Sequence, residues 1–343
     1  MNQADPHAAA PLVAEVFRTL GPGGFHSGAQ LARQLGVSRN AIWKAVGALR
    51  ELGVAVHAVR NRGYRLAVPT APLVPQRISE ALDPALRAQL RRIEVAWELE
   101  STNSTLFARA DLPPGSADVL LAEVQSAGRG RRGRSWLATP GGALCLSLGW
   151  TLGQLPRDLG ALALVVGVCV LRGLHEHLAH AIVGAAPLQL KWPNDLQCEG
   201  RKLGGILIDL RAEAGGPSYV VIGIGLNVAL DAGRRSRISA TGTEACDLQS
   251  LGVSPLKRNE VVASLIQCLL KGLALFENEG FKPFREEWQR ADALRGRAVN
   301  LTTGQGSTRG TVRGIDSDGA LLLETSEGVM RFVSGEVSVR AQA

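Results

Sequence analysis

The first 68 residues carry a helical pattern three times and then a strand pattern twice. Residues 12–20 (LVAEVFRTL) have apolar side chains at helical spacing, and Ser27 precedes a second helical stretch. Ser38 is a suitable N-cap for a third helix, SRNAIWKAVGALRELG. The apolar face of that helix consists of Ile42, Val46 and Leu49. Two strand-like pieces follow, VAVHAV and GYRLAV, joined by a basic turn. Helices and hairpin in this order predict a winged helix-turn-helix.

Basic charge is concentrated in this module. Residues 1–68 hold eight Lys and Arg against three Asp and Glu, residues 69–294 hold 24 against 23, and residues 295–343 hold six against five. A small basic module on a nearly neutral body favours a nucleic-acid contact confined to that module. The candidate DNA-binding residues start the third helix or flank the wing turn: Ser38, Arg39, Asn40, Trp43, Lys44, Arg60 and Arg62. An interaction module with a solvated basic surface is the alternative.

Changes of pattern divide the chain into three predicted domains. Residues 1–68 form the winged helix-turn-helix, and residues 69–75, with three prolines and no periodicity, form a linker. Residues 76–294 form a central body in which strand and helix patterns alternate. Residues 295–343 contain short strand patterns separated by Gly and Asp turns, which predicts a small β domain.

Polar side chains follow the first strand of the central body. Residues 76–91 have a helical pattern, residues 93–99 (IEVAWEL) have a strand pattern, and the next helix opens at Ser101, Thr102 and Asn103. Hydroxyl and amide groups at such a junction can cap the helix or hydrogen-bond a small polar ligand. The local sequence favours capping and leaves ligand binding open.

A loop rich in glycine and arginine, GRGRRGRSW, spans Gly128 to Trp136 after a predicted strand. It contains a literal GxGxxG, but a strand pattern follows where a dinucleotide-binding fold requires a helix, so that interpretation fails. Glycines let backbone N–H groups approach a ligand, and arginines bind phosphate or carboxylate bidentately. The loop carries four of them, at Arg129, Arg131, Arg132 and Arg134. We expect it to bind a polyphosphate or an acyl phosphate; a basic surface loop is the weaker alternative.

Two further segments have the character of ligand-binding turns. Lys191 to Asp195 (KWPND) form a polar turn between strands, and Lys202 enters the apolar strand KLGGILIDL, where its charge could stabilise an anion in a transition state. A second buried strand, YVVIGIGLNV, ends at Asn227, whose amide could bind a purine edge. Close approach of a ligand is favoured by the glycines in these strands, Gly204, Gly205, Gly223 and Gly225.

Several other classes of protein are disfavoured. The five cysteines are widely spaced without a CxxC pair, and neither GxSxG nor GxxxxGK[ST] occurs. His175, His177 and His180 end a long apolar helix (about 157–178) and fit its C-terminus better than a metal site. The uncharged run Leu159–Leu171 is too short to span a bilayer, and no basic segment precedes an apolar stretch at the N-terminus, so we expect a cytoplasmic protein.

Taken together, these segments resemble the bifunctional biotin–protein ligase and biotin-operon repressor family over essentially the whole chain. The motifs SRNAIWKAV, ESTN, GRGRRGRSW, KWPNDL, GRKLGGIL and GIGLN follow one another in the order found in that family. The resemblance implies a multidomain α+β protein with a winged helix-turn-helix, a central mixed-sheet α/β catalytic domain and a C-terminal SH3-like β-barrel.

The resemblance also implies an activity and a set of site residues. The family makes biotinyl-5′-AMP and pyrophosphate from biotin and MgATP, and then transfers biotin to a lysine of an acceptor protein. The implied catalytic residues are Lys202 and Arg131. The implied biotin-binding residues are Ser101, Thr102, Asn103, Gln125, Gly128, Arg129, Gly130, Arg131, Lys202, Gly205 and Gly223. The implied nucleotide-binding residues are Arg131, Arg134, Trp136, Asn194, Lys202 and Asn227, and no resident metal is implied.

The implied partners are biotin carboxyl carrier protein, operator DNA and a second copy of the chain in a ligand-promoted homodimer. Two departures from the family pattern stand out. Residues 231–250 carry a basic cluster without a recognisable motif, and Gly204 stands where alanine is common. Two alternatives remain, a ligand-sensing transcription factor without ligase activity and a lipoate-type ligase.

Overall fold

The computed structural model describes residues 6–109, 112–153, 156, 158–178, 187–212, 217–239, 244–304 and 306–339. Its first five elements are α1 (Pro6–Leu20), α2 (Gly28–Gln34), α3 (Arg39–Glu51), β1 (Val56–Val59) and β2 (Gly63–Leu66). Ser27 and Ser38 cap α2 and α3 by accepting hydrogen bonds from the backbone N–H groups of Gln30 and Ala41. The predicted winged helix-turn-helix is confirmed.

The apolar side chains predicted on the third helix form the centre of this domain. Ile42, Val46 and Leu49 are fully buried, and Phe17 of α1 packs with them. Trp97, from the central domain, also packs against this core, with its ring centroid 5.5 Å from that of Phe17. The winged helix therefore rests on the central domain through an aromatic contact.

The central domain is built on a seven-stranded mixed sheet. Its elements are α4 (Pro75–Glu80), α5 (Pro84–Arg87), β3 (Leu90–Leu99), α6 (Thr102–Arg109), β4 (Ala117–Gln125), β5 (Ala143–Leu152), α7 (Leu162–Leu178), β6 (Leu188–Lys191), β7 (Asp195–Cys198), β8 (Arg201–Ala212), β9 (Ser218–Asn227), α8 (Ala232–Ser239), α9 (Arg258–Glu279) and α10 (Lys282–Arg290). The strand order is β3-β4-β5-β9-β8-β7-β6, in which β3 and β4 are parallel and the other pairs antiparallel.

Two predicted helices of the central domain differ in extent from those observed. The helix expected over residues 76–91 is divided into α4 and α5, and β3 already begins at Leu90. The division occurs because the Asp83 side chain caps a new helix whose first residue is Pro84, and proline has no N–H with which to continue the preceding one. The helix expected from about residue 157 begins at Leu162, after a short 3₁₀ turn.

Helices α7 and α9 pack together against the sheet and form the main core. The segments Leu159–Leu178 and Pro255–Glu279 are long and apolar enough to cross a membrane, but 67% of each most apolar stretch is buried inside the protein. This burial agrees with the prediction that the first of them is a core helix. His177, near the end of α7, lies 3.0 Å from the Ser264 hydroxyl; His180 lies outside the described residues.

The C-terminal domain is a five-stranded antiparallel sheet, as the strand patterns predicted. Its strands are β10 (Ala298–Thr303), β11 (Gly306–Ile315), β12 (Leu321–Thr325), β13 (Gly328–Phe332) and β14 (Glu336–Val339), in the order β13-β12-β11-β10-β14. The indole Nε1 of Trp192, in the β6–β7 turn, donates a hydrogen bond of 3.1 Å to the backbone oxygen of Gly319. This bond joins the C-terminal domain to the KWPND turn.

The segment between the first two domains is held by a buried ion pair. Arg258 of α9 and Glu123 of β4 are 2.8 Å apart, with side chains 1% and 5% exposed. Arg258 also donates to the backbone oxygen of Ala71, and Glu123 accepts from the N–H groups of Leu73 and Gly141. A buried charge pair needs such additional hydrogen bonds to offset its desolvation. The predicted linker is therefore fixed to the central domain.

Candidate active site

The motifs singled out in the sequence meet around one cavity of about 510 Å³, a volume typical of small-molecule sites. Its walls come from the start of α6, the β4–β5 loop, the β6–β7 turn, β8, β9 and the beginning of β14. Every residue of the implied biotin and nucleotide sets except Gly128 lines it, namely Ser101, Thr102, Asn103, Gln125, Arg129, Gly130, Arg131, Arg134, Trp136, Asn194, Lys202, Gly205, Gly223 and Asn227. The roles assigned to these residues stay predictions.

Hydrogen-bonded polar side chains form one side of the cavity, and we call Ser101, Thr102 and Gln125 its polar floor. Ser101, Thr102 and Asn103 are at most 4% exposed. The Thr102 N–H and hydroxyl donate to the Gln125 side-chain oxygen, at 2.8 and 3.1 Å. The hydroxyl of Ser147 lies 2.7 Å from the Thr102 oxygen and 2.5 Å from the Asn103 amide oxygen. The floor is rigid because its side chains fix one another.

Both interpretations of the strand-to-helix junction are compatible with this arrangement. The Ser101 hydroxyl accepts a hydrogen bond of 3.4 Å from the Ser104 N–H, so it caps α6. The Asn103 amide nitrogen donates to the backbone oxygen of Leu207 and to the Asp209 carboxylate, at 3.2 and 3.0 Å. Capping is thus confirmed for Ser101, while the same side chains face the cavity.

The sequence reasoning missed two members of this network, Ser147 and Asp209. Both lie in strands that read as apolar, LCLSLGW and LGGILIDL, where a single polar residue is not a signal on its own. Alternation along an antiparallel strand was the available clue, since it places Ser147 on one face with Cys145 and Gly149.

The arginine-rich loop folds back on itself over the cavity. The Gly130 N–H donates to the Arg134 oxygen at 2.7 Å, and the Trp136 N–H donates to the Gly128 oxygen at 2.8 Å. Arg132 has a φ of 56°, in the left-handed region. Gly128 lies beneath this turn rather than in the main cavity, and a Cβ there would come within 2.4 Å of the Trp136 oxygen.

The four arginines of the loop bind partners in different parts of the protein. Arg129 pairs with Asp209 at 3.3 Å, and Arg131 donates to the Asn194 side-chain oxygen at 3.3 Å. Arg132 and Arg134 both pair with Glu336 in β14. Burial and the neighbouring guanidinium of Arg132 lower the pKa of Arg131. Glu336 lines the cavity as well, so the C-terminal domain contributes to the cavity wall.

The indole of Trp136 packs against the glycine-bearing strand β9. A Cβ added to Gly225 would come within 2.5 Å of the ring, and one added to Gly223 would come within 2.2 Å of the Asn103 amide oxygen. Both glycines are therefore needed for close approach, but the close neighbours are side chains of the protein.

Lys202 enters the cavity from β8. Its ammonium donates a hydrogen bond of 2.6 Å to the Asp195 carboxylate, at the end of the KWPND turn. The Asn194 amide nitrogen donates to the Ile206 oxygen at 2.7 Å. Asn227 uses its amide nitrogen twice, toward the backbone oxygens of Lys202 and Cys246. The amide nitrogen of Asn227 thus holds the backbone at two points, and the nucleotide-binding role of this side chain stays a prediction.

Residues 231–250, which carried no motif, contribute to the same site. The guanidinium of Arg234 in α8 donates to the Leu137 oxygen at 2.8 Å and contacts Thr139, just after the arginine-rich loop. Arg237 and Ile238 line the cavity. Residues 240–243 of this segment lie outside the described part of the chain.

The DNA-binding candidates lie on a different surface. Arg39, Asn40, Trp43 and Lys44 are exposed along the first turns of α3, and the Trp43 side chain is 63% exposed. Ser38 is used as the helix cap. Arg60 and Arg62 are exposed in the β1–β2 turn, where the Arg62 guanidinium lies 4.1 Å from the Phe25 ring centroid. The structure thus places all seven on one basic module, and their contacts with DNA stay predictions.

Sequence models of three families match the chain. The biotin/lipoate A/B protein ligase family matches residues 98–227, the biotin protein ligase C-terminal domain matches residues 295–340, and an HTH domain matches residues 20–65. Each match falls on one of the three domains described above, and each of those domains contains one of the three sheets.

Individual relatives cover nearly the whole chain. The bifunctional ligase/repressor BirA of Escherichia coli is 40% identical over 95% of this chain and 97% of its own length. The protein of the same name from Bacillus subtilis is 30% identical over 92% of this chain and 94% of its own length. A solved structure of biotin protein ligase from Aquifex aeolicus in complex with biotin and ATP is 28% identical, covers 74% of this chain and all of its own, and superposes with a TM-score of 0.59. This chain belongs to the biotin/lipoate A/B protein ligase family and, within it, to the bifunctional ligase/repressor proteins.

Proposed function

We propose that the protein is a biotin–protein ligase that is also a DNA-binding repressor. It activates biotin with ATP to give biotinyl-5′-AMP and pyrophosphate, and it transfers biotin to a lysine of an acceptor protein. The observation that carries this proposal is the convergence of a polar floor, an arginine-rich loop and Lys202 on one cavity. The relatives named as ligase/repressors and the neighbour solved with biotin and ATP support the choice of substrates.

The first step joins the two substrates. An oxygen of the biotin carboxylate attacks the α-phosphorus of ATP, the bond to the β-phosphate oxygen breaks, and pyrophosphate leaves with the electron pair. Negative charge rises around phosphorus during this step, so fixed cations lower its barrier. Lys202 and Arg131 are the residues proposed to supply that charge. Ser101, Thr102 and Gln125 are proposed to orient the biotin ring through their hydrogen-bonding atoms.

The second step transfers the acyl group directly. The acceptor lysine amine attacks the acyl carbon, an amide forms, and AMP leaves, so no covalent intermediate with the protein is needed. The one thiol on the cavity wall among the described residues, Cys145, is a poor nucleophile because burial raises its pKa to about 12. Magnesium is proposed to enter with ATP as part of the substrate.

The winged helix supports the second activity. We propose that its exposed basic residues bind operator DNA and that the adenylate promotes a homodimer matching a two-fold site. A biotin carboxyl carrier protein is the proposed acceptor, and a cytoplasmic location is proposed for the ligase reaction.

The test of acceptor transfer uses purified protein, ATP and a biotin carboxyl carrier domain. Mass spectrometry should show a single biotin adduct on one acceptor lysine when biotin is supplied, and no adduct when lipoate replaces it. An adduct with lipoate alone would assign the protein to the lipoate-type ligases. Ligand-dependent DNA binding without any adduct would instead identify a sensing transcription factor.

A further inference from the structure

Lys191 lines the cavity and takes no part in the two steps proposed above. It is the last residue of β6 and pairs across the hairpin with Asp195, the first residue of β7. Its half-buried side chain lines the cavity together with Lys202. Residues directly opposite on antiparallel strands project from the same face, with Cβ atoms roughly 4.5–5.5 Å apart. Lys191 and Asp195 therefore enter the same part of the site.

The charges in this corner do not cancel. The Asp195 carboxylate already accepts the hydrogen bond from Lys202, at 2.6 Å. Within the part of the chain that the structure describes, the Lys191 ammonium makes no hydrogen bond or ion pair. Burial lowers the pKa of Lys191, and the nearby charges of Lys202 and Arg134 lower it further against the opposing effect of Asp195. A bound anion would relieve this excess of positive charge.

The position of Lys191 indicates which part of a ligand it meets. The polar floor of Ser101, Thr102 and Gln125 belongs to α6 and β4, at one wall of the cavity. Lys191 belongs instead to the wall next to the C-terminal domain, where the following residue, Trp192, bonds to Gly319. Arg134, whose charge lowers the pKa of Lys191, is paired with Glu336 of that domain. Lys191 thus lies on the cavity wall that borders the C-terminal domain, and the polar floor is built by other elements.

We propose that Lys191 binds the pyrophosphate leaving group and is a second catalytic lysine of the adenylation step. The assignment rests on the ligase function proposed above. When the bond between the α-phosphorus and the bridging oxygen breaks, the electron pair remains on pyrophosphate, and the Lys191 ammonium neutralises the charge that develops there. Lys202 acts on the biotin carboxylate and the α-phosphate. The two lysines therefore serve opposite sides of the phosphorus that is attacked.

The division of labour predicts different effects on the two half-reactions. Lys191→Met keeps the length and apolar stem of the side chain and removes the charge. We expect biotin-dependent adenylate synthesis to slow by roughly 10²-fold, the size seen when one stabilising group is removed from a transition state. Transfer from supplied biotinyl-5′-AMP to the acceptor involves no pyrophosphate and should proceed at the wild-type rate. Lys191→Arg should recover part of the loss, and Lys271→Met, at an exposed position of α9, is the matched control.

Calorimetric titration with inorganic pyrophosphate tests the subsite without catalysis. The wild-type protein should bind pyrophosphate, and Lys191→Met should bind it roughly tenfold more weakly, while biotin affinity stays unchanged. Equal affinity for pyrophosphate in both proteins, or equal slowing of both half-reactions in the variant, would overturn the assignment. If the wild-type protein binds pyrophosphate through Lys191 but forms no adenylate, the proposed ligase function fails and the anion subsite stands.

Discussion

Among the single residues of the site, cations of the cavity are held in place by neighbouring carboxylates. Lys202 meets Asp195 at 2.6 Å, and Arg129 meets Asp209 at 3.3 Å, so these cations are oriented by carboxylates of the same cavity. Oriented charges need little rearrangement when a substrate develops negative charge, which is the basis of electrostatic catalysis. We therefore expect the loss of Lys202 to have a large effect on the rate of adenylate formation.

Lys202→Ala should slow biotin-dependent adenylate formation by roughly 10²- to 10³-fold, because it removes the charge at the reacting phosphorus and leaves the Asp195 carboxylate without its partner. Single-turnover formation of biotinyl-5′-AMP measures the effect. Lys282→Ala, at an exposed position of α10, is the control for loss of a lysine elsewhere. A rate within a few-fold of wild type would remove Lys202 from the mechanism.

Asp292, between α10 and the C-terminal domain, should make stability depend on pH. Its carboxyl is 8% exposed, one oxygen has no partner among the described residues, and burial raises its pKa to about 6. A raised carboxyl pKa means that the folded state holds its proton longer than the unfolded state. Stability attributable to this group is therefore lost as pH rises from about 4 through 6. Asp292→Asn should raise the urea midpoint at pH 8 and leave it unchanged near pH 4.

Sequence reasoning found Lys202 and the arginines of the loop, and it missed two polar residues of the surrounding hydrogen-bond network. Lys202 and the loop arginines stand out in the sequence because they lie beside glycines, next to or between apolar strands. Ser147 and Asp209 are each a single polar residue within an apolar strand, and only the pairing of strands brings them to Asn103. The sequence suggested a purine contact for Asn227 and gave no sign that its amide nitrogen donates a hydrogen bond to the backbone oxygen of Lys202.

At the scale of elements, the arginine-rich loop and strand β9 form one unit. The Trp136 indole covers Gly225 so closely that a Cβ would lie 2.5 Å from the ring. The sequence predicted a close approach at this strand, but the approaching group is the indole. Likewise, the continuous helix predicted over residues 76–91 overlooked Asp83 and Pro84, which begin a new helix.

Gly225→Ala should displace the indole of Trp136 and disturb the nucleotide end of the cavity. Overpacking of this kind costs about 1–3 kcal/mol. We expect the KM for ATP to rise roughly tenfold, while the Kd for biotin, bound at the polar floor, stays the same. Gly160→Ala is the control, because a Cβ there meets nothing within 4 Å. An unchanged KM for ATP would show that Trp136 does not shape the nucleotide site.

Across the whole molecule, a few long-range contacts join the linker and the C-terminal domain to the central domain. Glu123 and Arg258, 135 residues apart in the sequence, hold the backbone of Ala71 and Leu73, and the same carboxylate accepts from the Gly141 N–H. Glu336 holds the loop from the other side. No local pattern could predict these contacts, because each residue's partner is set by the packing of distant elements. They place the linker and the C-terminal domain in contact with segments that flank the active site.

In the proposed mechanism, this cavity adenylates biotin. The most direct test is biotin-dependent exchange of labelled pyrophosphate into ATP by the purified protein, which needs neither acceptor nor DNA. We predict exchange with biotin and none with lipoate. Absence of exchange with biotin, in a folded sample that binds ATP, would contradict the account.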